Sequence, residues 1–83
     1  MIEHLEVTEK LEAERSLYPR LPEAFEALTW RLARYAESGY LLDEKHWVYK
    51  QAGSKKHNVP GLIALYIIDI NQVTILSIQV VVA

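Results

Sequence analysis

Between Pro22 and Ser38, hydrophobic residues recur every three or four positions. The stripe that this spacing places on one side of an α-helix consists of Phe25, Leu28, Leu32 and Tyr35, flanked by Ala24 and Ala36. Pro22 suits the first helical position because its missing N–H would have no helical partner there, and Gly39 is expected to end the helix in a left-handed conformation. The pattern predicts an amphipathic helix over residues 22–38 with this stripe in the core.

Two apolar segments near the end of the chain, residues 62–68 and 73–82, predict a β-hairpin. They are joined by Asp69-Ile70-Asn71-Gln72, in which Asn71 tolerates the left-handed backbone of a tight turn. Ile68 faces Val73 whether the loop has two residues or four. Continuing that register places Tyr66 opposite Ile75 and Leu65 opposite Leu76.

The two faces of this hairpin differ in composition. The more purely hydrocarbon face carries Ile63, Leu65, Leu76 and Ile78. We expect it to pack on the helix, because it has no polar group to satisfy. The other face mixes Ser77 and Gln79 with apolar residues, and we expect a partner to cover part of it. This predicted partner interface consists of Tyr66, Ile68, Val73, Ile75 and Val81.

The first twenty residues allow two interpretations. One is a short strand containing Ile2, Leu5 and Val7, followed by a helix that Thr8 caps and that ends before Pro19. The alternative is a continuous helix from residue 2, since Glu and Leu favour helices. We expect the strand followed by the helix.

The middle of the chain predicts one further strand. Residues 46–50 are rich in aromatic and β-branched side chains, and residues 53–58 are typical of an exposed loop. The complete pattern predicts a single domain over residues 1–83 of the α+β class, a small antiparallel sheet with N-terminal helices packed on one face.

Composition narrows the possible functions. The chain has 83 residues, of which 51% are hydrophobic and 24% charged, as in an ordinary small globular domain. The absence of Cys excludes disulfides, thiolate metal sites and a cysteine nucleophile. The acidic N-terminus lacks a signal-peptide pattern and no apolar stretch has the ~20 residues of a membrane helix, so we expect a soluble cytoplasmic protein that requires no cofactor.

Positive charge is concentrated locally, although the net charge is −2. Lys50, Lys55 and Lys56 lie in a segment without acidic residues, close to Trp47. Lysines bind phosphates and exposed aromatic rings stack on bases, so these four residues are candidates for an RNA-binding surface. The alternative is a solvated loop beside half-buried core aromatics.

Candidate catalytic residues are few. His57 or His46 could act as a general base near Tyr66, since histidine titrates close to neutral pH. No Ser or Asp partner stands at a motif spacing, and His4, His46 and His57 do not form a close pair of metal ligands. We expect no metal site, and whether the chain is an enzyme stays open.

The order of elements, ending in the antiparallel strands LIALYIID (62–69) and VTILSI (73–78), resembles the RelE/ParE toxin superfamily of bacterial type II toxin–antitoxin systems. In that family the penultimate strand commonly reads Tyr-Arg-Val-Ile-Tyr-Arg-Ile-Asp. The resemblance covers about residues 22 to 82, with motifs of mostly apolar strand residues. It implies a toxin-like component acting on mRNA or the ribosome, with an antitoxin covering the sheet.

The departures from the family pattern concern its chemistry. The family's strand arginines correspond to Ile63 and to about Val80 here, and neither side chain can donate to a phosphate. Tyr66 matches the family's second Tyr. The alternative function is therefore a catalytically inactive protein–protein interaction domain on the same scaffold, self-associating through the sheet as a homodimer or larger homo-oligomer.

Overall fold

The computed structural model describes residues 2–70 and 72–82. The elements in these residues are β1 (Ile2–Glu3), α1 (Leu5–Glu14), α2 (Leu21–Arg34), a 3-10 turn (Ala36–Ser38), β2 (Tyr40–Leu41), β3 (His46–Gln51), β4 (Gly61–Asp69) and β5 (Gln72–Val81). The strands form one sheet in the order β1-β5-β4-β3-β2, antiparallel except that β1 runs parallel to β5. Both helices pack on one face of it, so the predicted α+β class is confirmed.

The N-terminal segment is a strand followed by a helix, and the alternative of a helix from residue 2 is wrong. The strand is shorter than predicted, because Leu5 and Val7 belong to the helix. Ile2 and Glu3 pair with Thr74 and Ile75 of β5. The helix begins at Leu5, earlier than the predicted Thr8 cap, because the carbonyl of His4 already accepts the first helical hydrogen bonds. Neither α1 nor α2, within the described residues, has the length and apolar character needed to cross a membrane.

The core stripe of α2 is confirmed in its centre and wrong at its C-terminal end. The buried positions are Leu21, Ala24, Leu28 and Leu32. The helix ends at Arg34, so Tyr35 leaves the helical path with φ −134° and its side chain is 56% exposed.

Gly39 has an extended backbone with φ −88° and ψ −167°, so the predicted left-handed helix stop is wrong. Glycine is needed here because the backbone of Val48 and the Tyr66 hydroxyl lie very close to its Cα. A Cβ at this position would collide with the carbonyl oxygen of Val48 and lie 2.8 Å from the hydroxyl oxygen of Tyr66. Gly39 therefore lets the chain pass tightly beneath β3 as it enters β2.

The hairpin forms as predicted near its turn and departs from prediction farther along. Ile68 pairs with Val73 and Tyr66 with Ile75, and then the register shifts between Leu65 and Tyr66. Leu65 lies opposite Ser77 rather than the predicted Leu76, because a β-bulge inserts one extra residue into β5. Every predicted pair beyond this bulge is displaced by one position.

The predicted core face of the hairpin is also wrong. The residues of β4 under the helices are Leu62, Ala64 and Tyr66, all with 0% exposure. Ile63 and Leu65 of β4 point to the other face and are half-buried. The physical reason is that both faces are apolar, and Tyr66 reaches hydrogen-bond partners only on the helix side.

This reversal places most of the predicted partner interface in the core. Tyr66, Val73 and Ile75 are buried, and Ile68 is half-buried against them. Of the five, Val81 alone is exposed. Ile78 was predicted in the core and is there, because the bulge turns it towards the helices.

β3 and the following loop agree with the prediction, whereas the short strand β2 and the 3-10 turn were not predicted. β3 spans His46–Gln51, one residue longer than predicted. The side-chain amide of Gln51 donates to the carbonyl oxygen of Ala24 at 2.8 Å, which ties the end of β3 to the start of α2. Lys55, Lys56 and His57 lie exposed in the predicted loop, which an isolated bridge between Ser54 and Val59 closes.

The hairpin turn contains a strained residue. Asp69 pairs with Gln72, and Ile70 between them has φ +43° with a side chain that is 91% exposed. A left-handed conformation costs a β-branched residue about 1–2 kcal/mol, while Asn adopts it readily. We expect Ile70→Asn to raise the free energy of unfolding by about 1 kcal/mol in urea titrations. Ile70→Val is the control, and an equal gain from Val would contradict the strain argument.

Candidate functional site

Tyr66 is a structural residue in this fold. Its phenol is buried beneath α2, where its hydroxyl donates to the carbonyl oxygen of Ala36 at 2.6 Å and accepts from the N–H of Gly39 at 3.2 Å. Burial raises the pKa of the Tyr66 phenol above its usual value of 10. The Tyr66 hydroxyl is therefore neutral, and both of its hydrogen-bond partners are groups of the protein itself. This arrangement is unfavourable for the predicted catalytic role.

Trp47 packs against Tyr66. The two residues are cross-strand partners in β3 and β4, and their rings stack with centroids 6.2 Å apart and an angle of 22° between planes. Trp47 is half-buried on the helix side of the sheet. One side of its ring therefore belongs to the core. This position agrees with the alternative, a half-buried core aromatic, and is unfavourable for stacking on RNA bases.

The predicted basic residues do not converge on one site. Lys50 lies on β3 opposite Ile63, on the face of the sheet away from the helices. Lys55 and Lys56 are exposed in the loop beyond the end of that strand.

His57 belongs to the same loop as the two lysines. Its carbonyl oxygen accepts from Arg20 Nη1 at 3.1 Å, and its N–H donates to Ser54 Oγ at 3.3 Å. Tyr66 lies five residues along β4 from Gly61, about 16 Å away at strand spacing. The two weak catalytic candidates are therefore not neighbours.

A hydrogen-bonded pair of Asp43 and His46 was not predicted. Asp43 accepts hydrogen bonds from the backbone N–H groups of Lys45 and His46 and from His46 Nδ1, each at 2.9 Å. These hydrogen bonds lower the pKa of Asp43 to about 2. Asp is a typical turn residue for this reason, so the pair organises the connection from β2 to β3.

The described residues contain no group of three or more His, Cys, Asp or Glu side chains able to hold a metal ion. A cavity of about 710 Å³ lies between the C-terminal end of α2 and the hairpin turn. Arg34 and Glu37 are charged residues on its wall, beside the apolar Leu32, Ile68 and Val73. The Arg34 guanidinium stacks 4.4 Å above the Trp30 ring, so it is already engaged. This cavity does not assemble a general acid–base pair.

The most distinctive surface is the face of the sheet opposite the helices, which we call the open face. Strand alternation and the observed register place its apolar side chains in adjacent rows. They are Ile2, Tyr40, Val48, Ile63, Leu65, Ile67, Leu76 and Val81. No described helix or strand covers them. Sequence reasoning missed this surface because it assigned the central residues to the core.

The outer edge of β5 is partly open as well. β1 pairs only with Thr74 and Ile75. In the described residues no other strand pairs with β5 on that side, so its second half, which ends in Val80 and Val81, is an edge. β5 is therefore an inner strand at its start, where β1 pairs with it, and an edge strand at its end.

Comparison with protein-family models, with curated proteins and with solved structures finds no match to this chain. The function must therefore be argued from the residues and their arrangement.

The role of Tyr66 gives a testable expectation. Tyr66→Phe leaves the carbonyl of Ala36 and the N–H of Gly39 without their partner, so we expect the free energy of unfolding to fall by about 1–3 kcal/mol in urea titrations at pH 7. Tyr40→Phe is the matched control, because Tyr40 is exposed and should tolerate the change. Equal stability of both variants and wild type would contradict the structural role.

The same residue has a pH signature. Because folding raises the pKa of Tyr66, its neutral phenol stabilises the fold fully below pH 10 and this contribution is lost as pH rises through the folded pKa. The stability difference between wild type and Tyr66→Phe should therefore narrow from pH 9 to pH 11.

Proposed function

We propose that this chain is a protein–protein interaction domain that binds through the open face of its sheet. The observation that carries the proposal is an apolar sheet face, centred on Ile63, Leu65 and Ile67, that no described element covers. At ~3.3 Å per residue and ~4.8 Å per strand, the face measures about 26 by 19 Å, or about 500 Å². This area includes polar side chains such as Ser77 and Gln79, and an exposed apolar patch of a few hundred Å² is often functional.

The arrangement of the candidate catalytic residues supports binding over catalysis. Tyr66 uses its hydroxyl inside the core, and His57 belongs to the loop before β4, whose first residue, Gly61, is about 16 Å from Tyr66. Ile63, at the position that corresponds to a family arginine, contributes hydrocarbon to the open face. On a scaffold that resembles the RelE/ParE superfamily, these features favour the catalytically inactive form.

The test is a pair of polar substitutions on the open face. Leu65→Thr with Ile67→Thr places a β-branched side chain, which suits a strand, at both positions while removing apolar contacts. We expect the thermal transition to persist and association with the natural partner, whether another protein or a second copy, to weaken at least tenfold. Mass measurement of the purified complex provides the readout, and Trp30→Ser on the outer side of α2 is the control. Unchanged association in the face variant would contradict the proposal.

A toxin-like component of a bacterial type II toxin–antitoxin pair is the second candidate. The exposed lysines Lys50, Lys55 and Lys56 favour it, because they are available to RNA or ribosomal phosphates. In this version an antitoxin occupies the open face and the free chain acts on mRNA or translation in the cytoplasm.

Induced expression in bacteria separates the two candidates. A toxin arrests growth and lowers translation, and Lys50→Ala or Lys55→Ala relieves the arrest because phosphate contacts are lost. An interaction domain leaves growth unchanged. The readout is colony formation together with incorporation of labelled amino acid, with Lys10→Ala in α1 as the matched control. If Lys50→Ala and Lys55→Ala arrest growth as strongly as the control Lys10→Ala, the basic segment is not responsible for the arrest.

A further inference from the structure

The charges at the two ends of the open face point to its occupant. We infer that the face binds a second copy of this chain, with β4 antiparallel to the partner's β4 and Lys50 of each copy against Asp69 of the other. This inference rests on the proposed function, because it uses the same surface and names its partner.

The open face carries Lys50 at one end and Asp69 at the other, with His46 beside Ile67 near the Asp69 end. Lys50 extends from β3 beside Ile63, and Asp69 lies at the far end of β4 on the same face by strand alternation. Both are exposed, and neither takes part in an ion pair among the described residues. Ile63 and Asp69 are six residues apart, about 20 Å, with only apolar side chains of β4 between them on this face.

A two-fold axis makes this arrangement self-complementary. In an isologous dimer every contact between two residues occurs twice. An axis perpendicular to the strands that crosses β4 at Tyr66, midway between Ile63 and Asp69, places Leu65 on the partner's Ile67. It also brings each Lys50 to the partner's Asp69. An axis parallel to the strands would bring like charges to the same end, so the antiparallel packing is favoured.

The size of the face agrees with a reversible dimer. Two faces of about 500 Å² bury about 1,000 Å² in total, which is the lower limit for a specific interface. Two sheets that pack face to face are about 10 Å apart, and their strands cross at about 30°. A lysine side chain can reach across this distance. By contrast, a strand added to the free edge of β5 would leave the apolar face uncovered.

The experiment is a charge reversal read out as the dimer dissociation constant. Sedimentation equilibrium at low salt compares wild type with Lys50→Glu, Asp69→Lys and the double variant. We expect each single variant to weaken dimerisation about tenfold, because it places like charges together, and the double variant to recover to within about threefold of wild type. Lys55→Glu in the loop is the control and should leave the constant unchanged. Thermal unfolding of each variant verifies that it is folded.

Several outcomes would overturn self-association. One is a chain that stays monomeric at several hundred micromolar, and another is a dimer whose dissociation constant neither charge reversal changes. A monomer that loses a different protein partner in the Leu65→Thr, Ile67→Thr variant would overturn self-association and leave the proposed function standing. A partner retained by that variant would overturn the proposed function itself.

Discussion

The hydrogen bonds of one buried phenol determine which side of the sheet becomes the core. Tyr66 is large and apolar but carries a hydroxyl that must be satisfied, and its partners, Ala36 and Gly39, lie just after α2. Once Tyr66 faces the helix, strand alternation places Leu62 and Ala64 beside it and turns the odd-numbered residues of β4 outward. Gly39 completes the arrangement because a side chain there would separate the hydroxyl from its donor.

The β-bulge in β5 reconciles this choice with the sequence of the last strand. Without it, Ile75 and Ile78 would lie on opposite faces, since they are three residues apart. The extra residue, Leu76, allows both isoleucines to enter the core, and it adds its own side chain to the open face. One local irregularity therefore improves the core and enlarges the apolar surface.

The same constraint governs what the protein can do. The orientation of Tyr66 removes its hydroxyl from solvent and presents Leu65 and Ile67 on the open face instead. The sequence suggested that Lys50 acts together with Lys55 and Lys56. In the structure Lys50 lies apart from them, at one end of an apolar face whose other end is Asp69. A surface of this kind favours recognition of another protein surface over chemistry on a small substrate.

Local pattern was sufficient to predict α2, β3, the hairpin and its register next to the turn, because spacing of apolar residues and turn chemistry act over a few residues. It could not choose the buried face, since both faces of the hairpin are apolar and a period of two does not distinguish them. That choice depends on a hydrogen bond between residues 30 positions apart. The displaced register, the exposed Tyr35 and the open face with its two charged ends all required the helices and the sheet to be assembled, because each arises from contacts between distant segments.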